Sequence, residues 1–62
     1  MRSDCIVKGY DKYEEKYFCN NYSSVKHIQI IGGYLDITYV DKEKHIQHGI
    51  YEIDDELEFY IC

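Results

Sequence analysis

From Val25 to Val40 the chain reads VKHIQIIGGYLDITYV, two β-favouring runs around Gly32-Gly33. Two residues that tolerate positive φ between such runs predict a β-hairpin with a type I′ turn. That turn sets Ile31 opposite Tyr34, Ile30 opposite Leu35 and Ile28 opposite Ile37. Extended further, it sets Lys26 opposite Tyr39 and Val25 opposite Val40. Side chains alternate across a strand, so Ile28, Ile30, Leu35, Ile37 and Tyr39 share one side. His27, Gln29, Ile31, Tyr34, Asp36 and Thr38 share the other. One side is mostly apolar and the other mixed, the pattern of a half-buried antiparallel sheet.

The same alternation continues downstream. A turn over residues 41–44, DKEK, pairs Val40 with His45, Ile37 with His48 and Leu35 with Ile50. A further turn at Asp54-Asp55 sets Glu52 against Leu57, Ile50 against Phe59 and His48 against Ile61. The expectation is a four-stranded meander with Ile30, Leu35, Ile50 and Phe59 in one apolar row. A sheet with one apolar side needs a cover, which residues 4–22 must supply. Residues 4–10 read as a strand. Residues 11–19, DKYEEKYFC, fit two descriptions. Asp11 followed by Glu14 resembles a helix cap, with Tyr10, Tyr13 and Tyr17 along one helical stripe. As a strand, the stretch places Tyr13, Glu15, Tyr17 and Cys19 on one side, with Asn20-Asn21 as a turn. The cover is then a short helix, strands curling the sheet into a barrel, or a second copy of the chain.

Composition favours strands. Nine Ile, three Val and eight Tyr stand against two Leu and no Ala, and proline is absent. The predicted class is mainly β: one small domain over residues 1–62, an antiparallel meander of about four to six strands. Barrel-like closure is one option, and an α+β arrangement follows if residues 11–19 are helical. A chain of 62 residues buries only about 60% of its unfolded surface, so a homodimer or a partner would add stability. The N-terminal stretch lacks the apolar run of a secretory signal, and no run has the length of a membrane span. The expectation is a cytoplasmic protein, without membrane contact, whose cysteines at positions 5, 19 and 62 stay reduced.

Candidate chemistry is sparse. His45 and His48 form an HxxH pair, but residues three apart on a strand face opposite sides, and no CxxC accompanies them. The expected metal and cofactor content is therefore none, with His48 a partly buried core histidine and His45 on the surface. No base adjoins Cys19 or Cys62 in sequence to activate a thiol, and small buried cysteines are common. Asn21-Tyr22-Ser23 has the pattern of a glycosylation sequon, which a turn explains as well. No nucleophile, base and orienting group can be assembled, so no enzyme is expected.

Charge and tyrosines change the picture more. Residues 1–51 carry seven acids and seven bases, whereas residues 52–58, EIDDELE, carry five acids and no base, so the net charge of −5 resides there. Phosphate binding needs clustered Lys and Arg, so direct nucleic-acid binding is not expected. A protein with a basic surface is the natural partner, and a solvated loop that aids solubility is the plain alternative. On the less apolar side, the expected meander gathers Tyr34, Tyr51 and Tyr60, with Ile31, Tyr34 and Tyr51 in one row. Tyrosine offers large contact area with a polar tip. The expected interface is therefore Glu52, Asp54, Asp55, Glu56 and Glu58 with Tyr34, Tyr51 and Tyr60. In size, acidity and lack of a catalytic constellation, the chain resembles in type the phage-encoded inhibitors of host nucleases and defence systems, some of which imitate the charge of DNA. That type implies a small acidic module that blocks a nucleic-acid-binding protein, partly by charge mimicry. No motif of a named family is matched, and no residue role is carried over. The alternative is a structural or assembly protein that self-associates through its tyrosine-bearing face or an edge strand.

Overall fold

The structure, a computed structural model, describes residues 4–61. Six strands follow in order: β1 (Cys5–Asp11), β2 (Lys16–Tyr22), β3 (Val25–Ile31), β4 (Tyr34–Val40), β5 (Ile46–Glu52) and β6 (Glu58–Ile61). They form two three-stranded antiparallel sheets, ordered β2-β1-β6 and β3-β4-β5. The mainly β class holds. Among the described residues there is no helix, and the sheets do not close into a barrel.

The central hairpin follows its turn chemistry. Gly32 and Gly33 take φ of 55° and 80°, as a type I′ turn requires. The pairs Ile31–Tyr34, Ile30–Leu35 and Ile28–Ile37 form as expected. Beyond them the ladder slips. A bulge between Val25 and His27 pairs Val25 with Tyr39, where Val40 was expected, and leaves Lys26 unmatched. The bulge lets Val40 donate its N–H to the carbonyl of Ser24 at 3.2 Å, past the end of β3.

The expected pairing of β4 with β5 is one residue out. Val40 pairs with Ile46, Ile37 with Gly49 and Leu35 with Tyr51. The cause is the connection. Lys44 donates its N–H to the Asp41 carbonyl at 3.0 Å, closing a turn, and itself takes φ 69°. The Asp41 N–H then returns to the His45 carbonyl at 2.9 Å, so five residues separate the strands where four were expected. A turn followed by a left-handed residue is a common hairpin closure. A one-residue slip exchanges the two sides of a strand. Gly49 and Tyr51 therefore turn inwards. Ile46, His48 and Ile50 turn outwards and are exposed, so Ile50 and His48 are not core residues.

Residues 11–19 form the second half of a hairpin. Asp11 Oδ1 does accept the N–H groups of Tyr13 and Glu14, at 2.9 and 3.1 Å. The cap is thus real, but Glu15 takes φ 54° and the chain reverses within one turn. Tyr10 and Tyr17 are neighbours because they pair across this hairpin, with ring centroids 5.0 Å apart. Asn20 and Asn21 lie within β2 and form no turn; Ser23-Ser24 links β2 to β3.

The larger correction concerns β6. It leaves β5 and pairs with β1, Val7 with Phe59 and Cys5 with Ile61, so the meander stops at three strands. Residues 53–57 are a crossover between the sheets and not a hairpin. Its start continues the ladder, with the Ile53 N–H on the Gly33 carbonyl at 2.9 Å. Residues 4–22 do supply the cover, as the hairpin β1–β2 with β6 added. The fully buried side chains are Cys5 and Val7 from one sheet, and Leu35 and Ile37 from the other. Phe18, Tyr22, Val25, Ile28, Tyr39, Tyr51 and Leu57 pack around them.

Two glycines make room for aromatic rings, Gly49 between the sheets and Gly9 within one. A Cβ at Gly49 would come within 2.5 Å of Tyr22 Oη, and one at Gly9 within 2.6 Å of Phe18 Cζ. An isolated glycine inside a strand marks such close approach.

Candidate functional site

The seam between β2 and β5 is polar at its centre. The Tyr22 and Tyr51 hydroxyls meet in a short hydrogen bond, and the Asn20 side-chain amide donates to Tyr51 Oη at 3.0 Å. Phe18 stacks on Tyr51 at 5.7 Å, and Tyr22 tilts against Tyr39 at 4.8 Å. Burial, and then the bond to Tyr51, push the Tyr22 hydroxyl well above the ordinary phenol range. Both effects favour the neutral phenol of Tyr22.

Beside the seam lies an open groove of about 320 Å³. It runs between the β1–β2 turn and the end of β5 with its crossover. Tyr10, Phe18, Ile50, Tyr51 and Leu57 give it apolar walls over Gly9, and Asp11, Glu52 and Asp54 stand on its lining with Lys12 and Tyr13. Two of these carboxylates are held by their own turns. Asp11 Oδ1 accepts the two N–H groups of its turn, and Asp54 Oδ1 accepts the Glu56 N–H at 2.9 Å. The Leu57 N–H reaches the Asp54 carbonyl at 3.3 Å, closing the crossover turn. One oxygen of each carboxylate is thereby committed, which fixes the charged group relative to the walls.

The expected interface residues separate. Glu52, Asp54 and Tyr51 come together at the groove. Asp55 and Glu56 sit exposed at the apex of the crossover, and Glu58 opens β6. Tyr60 lies on the outer side of its sheet, with Lys8 Nζ 5.7 Å from its ring centroid. Tyr34 lies on the outer side of the other sheet, where Glu52 and not Tyr51 stands opposite it. Sequence reasoning missed Asp11, Tyr10, Phe18 and Leu57. Asp11 carried the only signal, its capping pattern, and that pointed to a helix.

The outer side of β3-β4-β5 carries a second polar group. His48 Nδ1 lies 3.1 Å from Asp36 Oδ1 and 3.2 Å from Thr38 Oγ1, and Gln29 Nε2 donates to Asp36 Oδ2 at 3.3 Å. The bond from Gln29, then that from His48, hold the Asp36 carboxyl below its ordinary range. His45 lies in the β4–β5 connection near Asp41 and Glu43. Among the described residues, no three His, Cys, Asp or Glu side chains are grouped as a metal site would need. Cys5 is buried; Cys19 is exposed, with Lys8 opposite it across the strands. Cys62 lies outside the described residues. No described helix is long and apolar enough to cross a membrane.

Searches of protein-family models, of curated proteins and of solved structures find no match. The groove's geometry and charge are the functional guide.

Proposed function

We propose that this chain is a small acidic protein-interaction module that binds a basic segment of another protein in the groove beside Tyr51. The observation that carries the reading is the meeting of Asp11, Glu52 and Asp54 with Tyr10, Phe18, Tyr51 and Leu57 around one cleft. A lysine or arginine side chain has an apolar stem and a cationic head. Aromatic and aliphatic walls suit the stem, and a ring face attracts the cation. Carboxylates held in place beside them form charge-assisted hydrogen bonds with the head. The volume is near the lower end of the roughly 300–1,000 Å³ usual for ligand pockets. It suits one or two side chains of an extended segment. The acids of residues 55–58 add a diffuse negative field that steers a basic partner.

A partner whose basic segment also binds nucleic acid would be blocked by such capture. In that case the module acts as an inhibitor through charge mimicry, as the small acidic inhibitors carried by mobile elements do.

The test is titration of isotope-labelled protein with an arginine-rich peptide at two salt concentrations. Amide shifts are expected at Gly9, Asp11, Tyr51, Glu52 and Leu57, weakening with salt. The double substitution Glu52→Gln with Asp54→Asn should weaken binding and keep the fold. Shifts confined to Tyr34, Asp36 and His48 would overturn the groove reading and move the binding surface to the outer side of β3-β4-β5. An absence of shifts with the peptide would overturn the reading.

A further inference from the structure

We propose that β6 is a dimerisation edge, through which two copies pair antiparallel and join their three-stranded sheets into one continuous sheet.

The first observation is a pair of inward-facing side chains with incomplete cover. Phe59 and Ile61 stand directly opposite Val7 and Cys5, so they share the inner side of the sheet with them. Val7 and Cys5 are fully buried, yet Phe59 is 37% and Ile61 67% exposed. The inner face thus loses its cover along this edge.

The second observation is the edge itself. Strand β6 ends the order β2-β1-β6 and has β1 on one side only. Exposed edges are usually blunted by charge, bulges or poor strand formers. Strand β3 has its bulge at Lys26, β2 carries Lys16 and the pair Asn20-Asn21, and β5 is centred on Gly49. Strand β6 is short and opens on Glu58, but the three residues that follow, Phe59, Tyr60 and Ile61, carry no charge, bulge or proline. A strand of this kind is suited to β-augmentation.

The third observation is that the strand is self-complementary. A two-fold axis at Tyr60 sets Phe59 opposite Ile61 of the second copy, and Ile61 opposite its Phe59. The two exposed apolar pairs then cover one another, as an isologous interface requires. Charge also suits this arrangement. Antiparallel pairing sends the two acidic crossovers to opposite ends of the interface. The two Glu58 residues are four strand positions apart, roughly 14 Å, which exceeds the screening length of about 8 Å at physiological salt. Two chains of net charge −5 can therefore meet here without setting their acids face to face. The paired segment is short, so the dimer is weak and its population depends on concentration.

None of Glu58, Phe59, Tyr60 and Ile61 lines the groove, so dimerisation and peptide binding are separable. The experiment is sedimentation velocity over a wide concentration range, with two variants of equally exposed isoleucines. Wild type should pass from monomer to dimer as concentration rises. Ile61→Lys should weaken self-association by about tenfold or more, since it places a charge on each side of the pairing edge. Ile46→Lys, on the outer side of β5 at 68% exposure, should leave self-association unchanged. Arginine-rich peptide should shift the groove amides of all three proteins alike. A protein that stays monomeric at millimolar concentration overturns the proposal. So does a dimer lost in Ile46→Lys and retained in Ile61→Lys. Should Ile61→Lys fail to fold, a mixed sample of labelled and unlabelled wild type decides. A nuclear Overhauser contact between the Phe59 ring of one copy and the Ile61 methyls of the other is expected, and its absence in a proven dimer sinks the idea.

Discussion

Tyr22 and Tyr51 meet hydroxyl to hydroxyl across the two sheets, and Tyr22 lies over Gly49, two residues from its partner on the same strand. A pair of polar groups thus ties β2 to β5 where an apolar contact alone would leave their relative position loose. The tie has a pH dependence. The Tyr22 hydroxyl is raised above its ordinary range in the folded chain. It therefore contributes stability that is fully present below the unfolded tyrosine pKa of about 10 and is lost as pH rises through the folded value. Tyrosinate absorbance should show a late step at strongly alkaline pH that Tyr22→Phe removes. Tyr22→Phe should cost about 0.5–1.5 kcal/mol at neutral pH and flatten the alkaline fall in denaturation midpoint. An unchanged alkaline limb would show that the hydroxyl pair does not link folding to pH.

Substitutions on β4 and β5 test the register. Ile37 is fully buried and Ile50 is 64% exposed. Ile37→Ala should cost about 2–5 kcal/mol, and Ile50→Ala should stay within about 0.5 kcal/mol. Gly49→Ala should cost about 1–3 kcal/mol, because its methyl group would collide with the Tyr22 ring and the ring must shift. Chemical denaturation of the three variants checks the set. An Ile50→Ala variant less stable than Ile37→Ala would restore the alternative pairing, with Val40 opposite His45.

Acid should weaken the fold through two carboxylates. Asp36 is held low by the bond from Gln29 and then by His48, and Asp41 by the backbone N–H of His45. Each contributes stability that is present above the unfolded carboxyl pKa of about 3.9 and is lost as pH falls through the lower folded value. Both groups are partly exposed, so the effects are small and salt-screened. Asp41→Asn should also loosen the β4–β5 connection, whose Glu43 and His45 N–H groups bond to its Oδ1 at 2.9 Å. Denaturation midpoints between neutral and acid pH should fall less steeply in either Asn variant than in wild type.

The acids of the crossover should divide by position. Glu52 and Asp54 at the groove should affect how long a basic peptide stays bound. Asp55 and Glu56 should affect mainly how fast it arrives, through the field they project. Surface-binding kinetics across ionic strength for the two charge-neutral pairs would show the split. Equal effects on arrival alone would make the groove acids mere contributors to net charge.

The strands of this fold were legible where the local chemistry is unambiguous. Gly32-Gly33 admits few alternatives, and the pairs next to it are correct. The errors have local causes. Lys44 takes a left-handed conformation where glycine or asparagine would have announced one, and that single residue exchanged the sides of β5. The cap at Asp11 is real in the structure, but whether a helix follows depends on the next turn, where Glu15 reverses the chain. Strand β6 alternates as well against β5 as against β1, so only packing decides between them. Gly49 did carry a signal: a lone glycine between strand formers marks the place where Tyr22 lies. The groove was largely hidden, because it joins Asp11, Phe18, Glu52 and Leu57 from segments distant in the chain.

The crossover of residues 53–57 also orders the folding reaction. Every other strand pairing joins sequence neighbours across a connection of two to five residues. The pair Lys8–Glu58 instead closes a path through both hairpins. Loop-closure entropy makes that contact the last to repay its cost, unless the hairpins have already shortened the path. The β1–β2 hairpin and the β3-β4-β5 meander are therefore expected to assemble first, with β6 docking onto a nearly finished molecule. The segment that must turn for β6 to dock carries five carboxylates within residues 52–58, so added salt should quicken this closing step by screening their repulsion. Until it closes, β1 presents an open edge beside Cys5 and Val7, and that interval is when the chain is most exposed to aggregation.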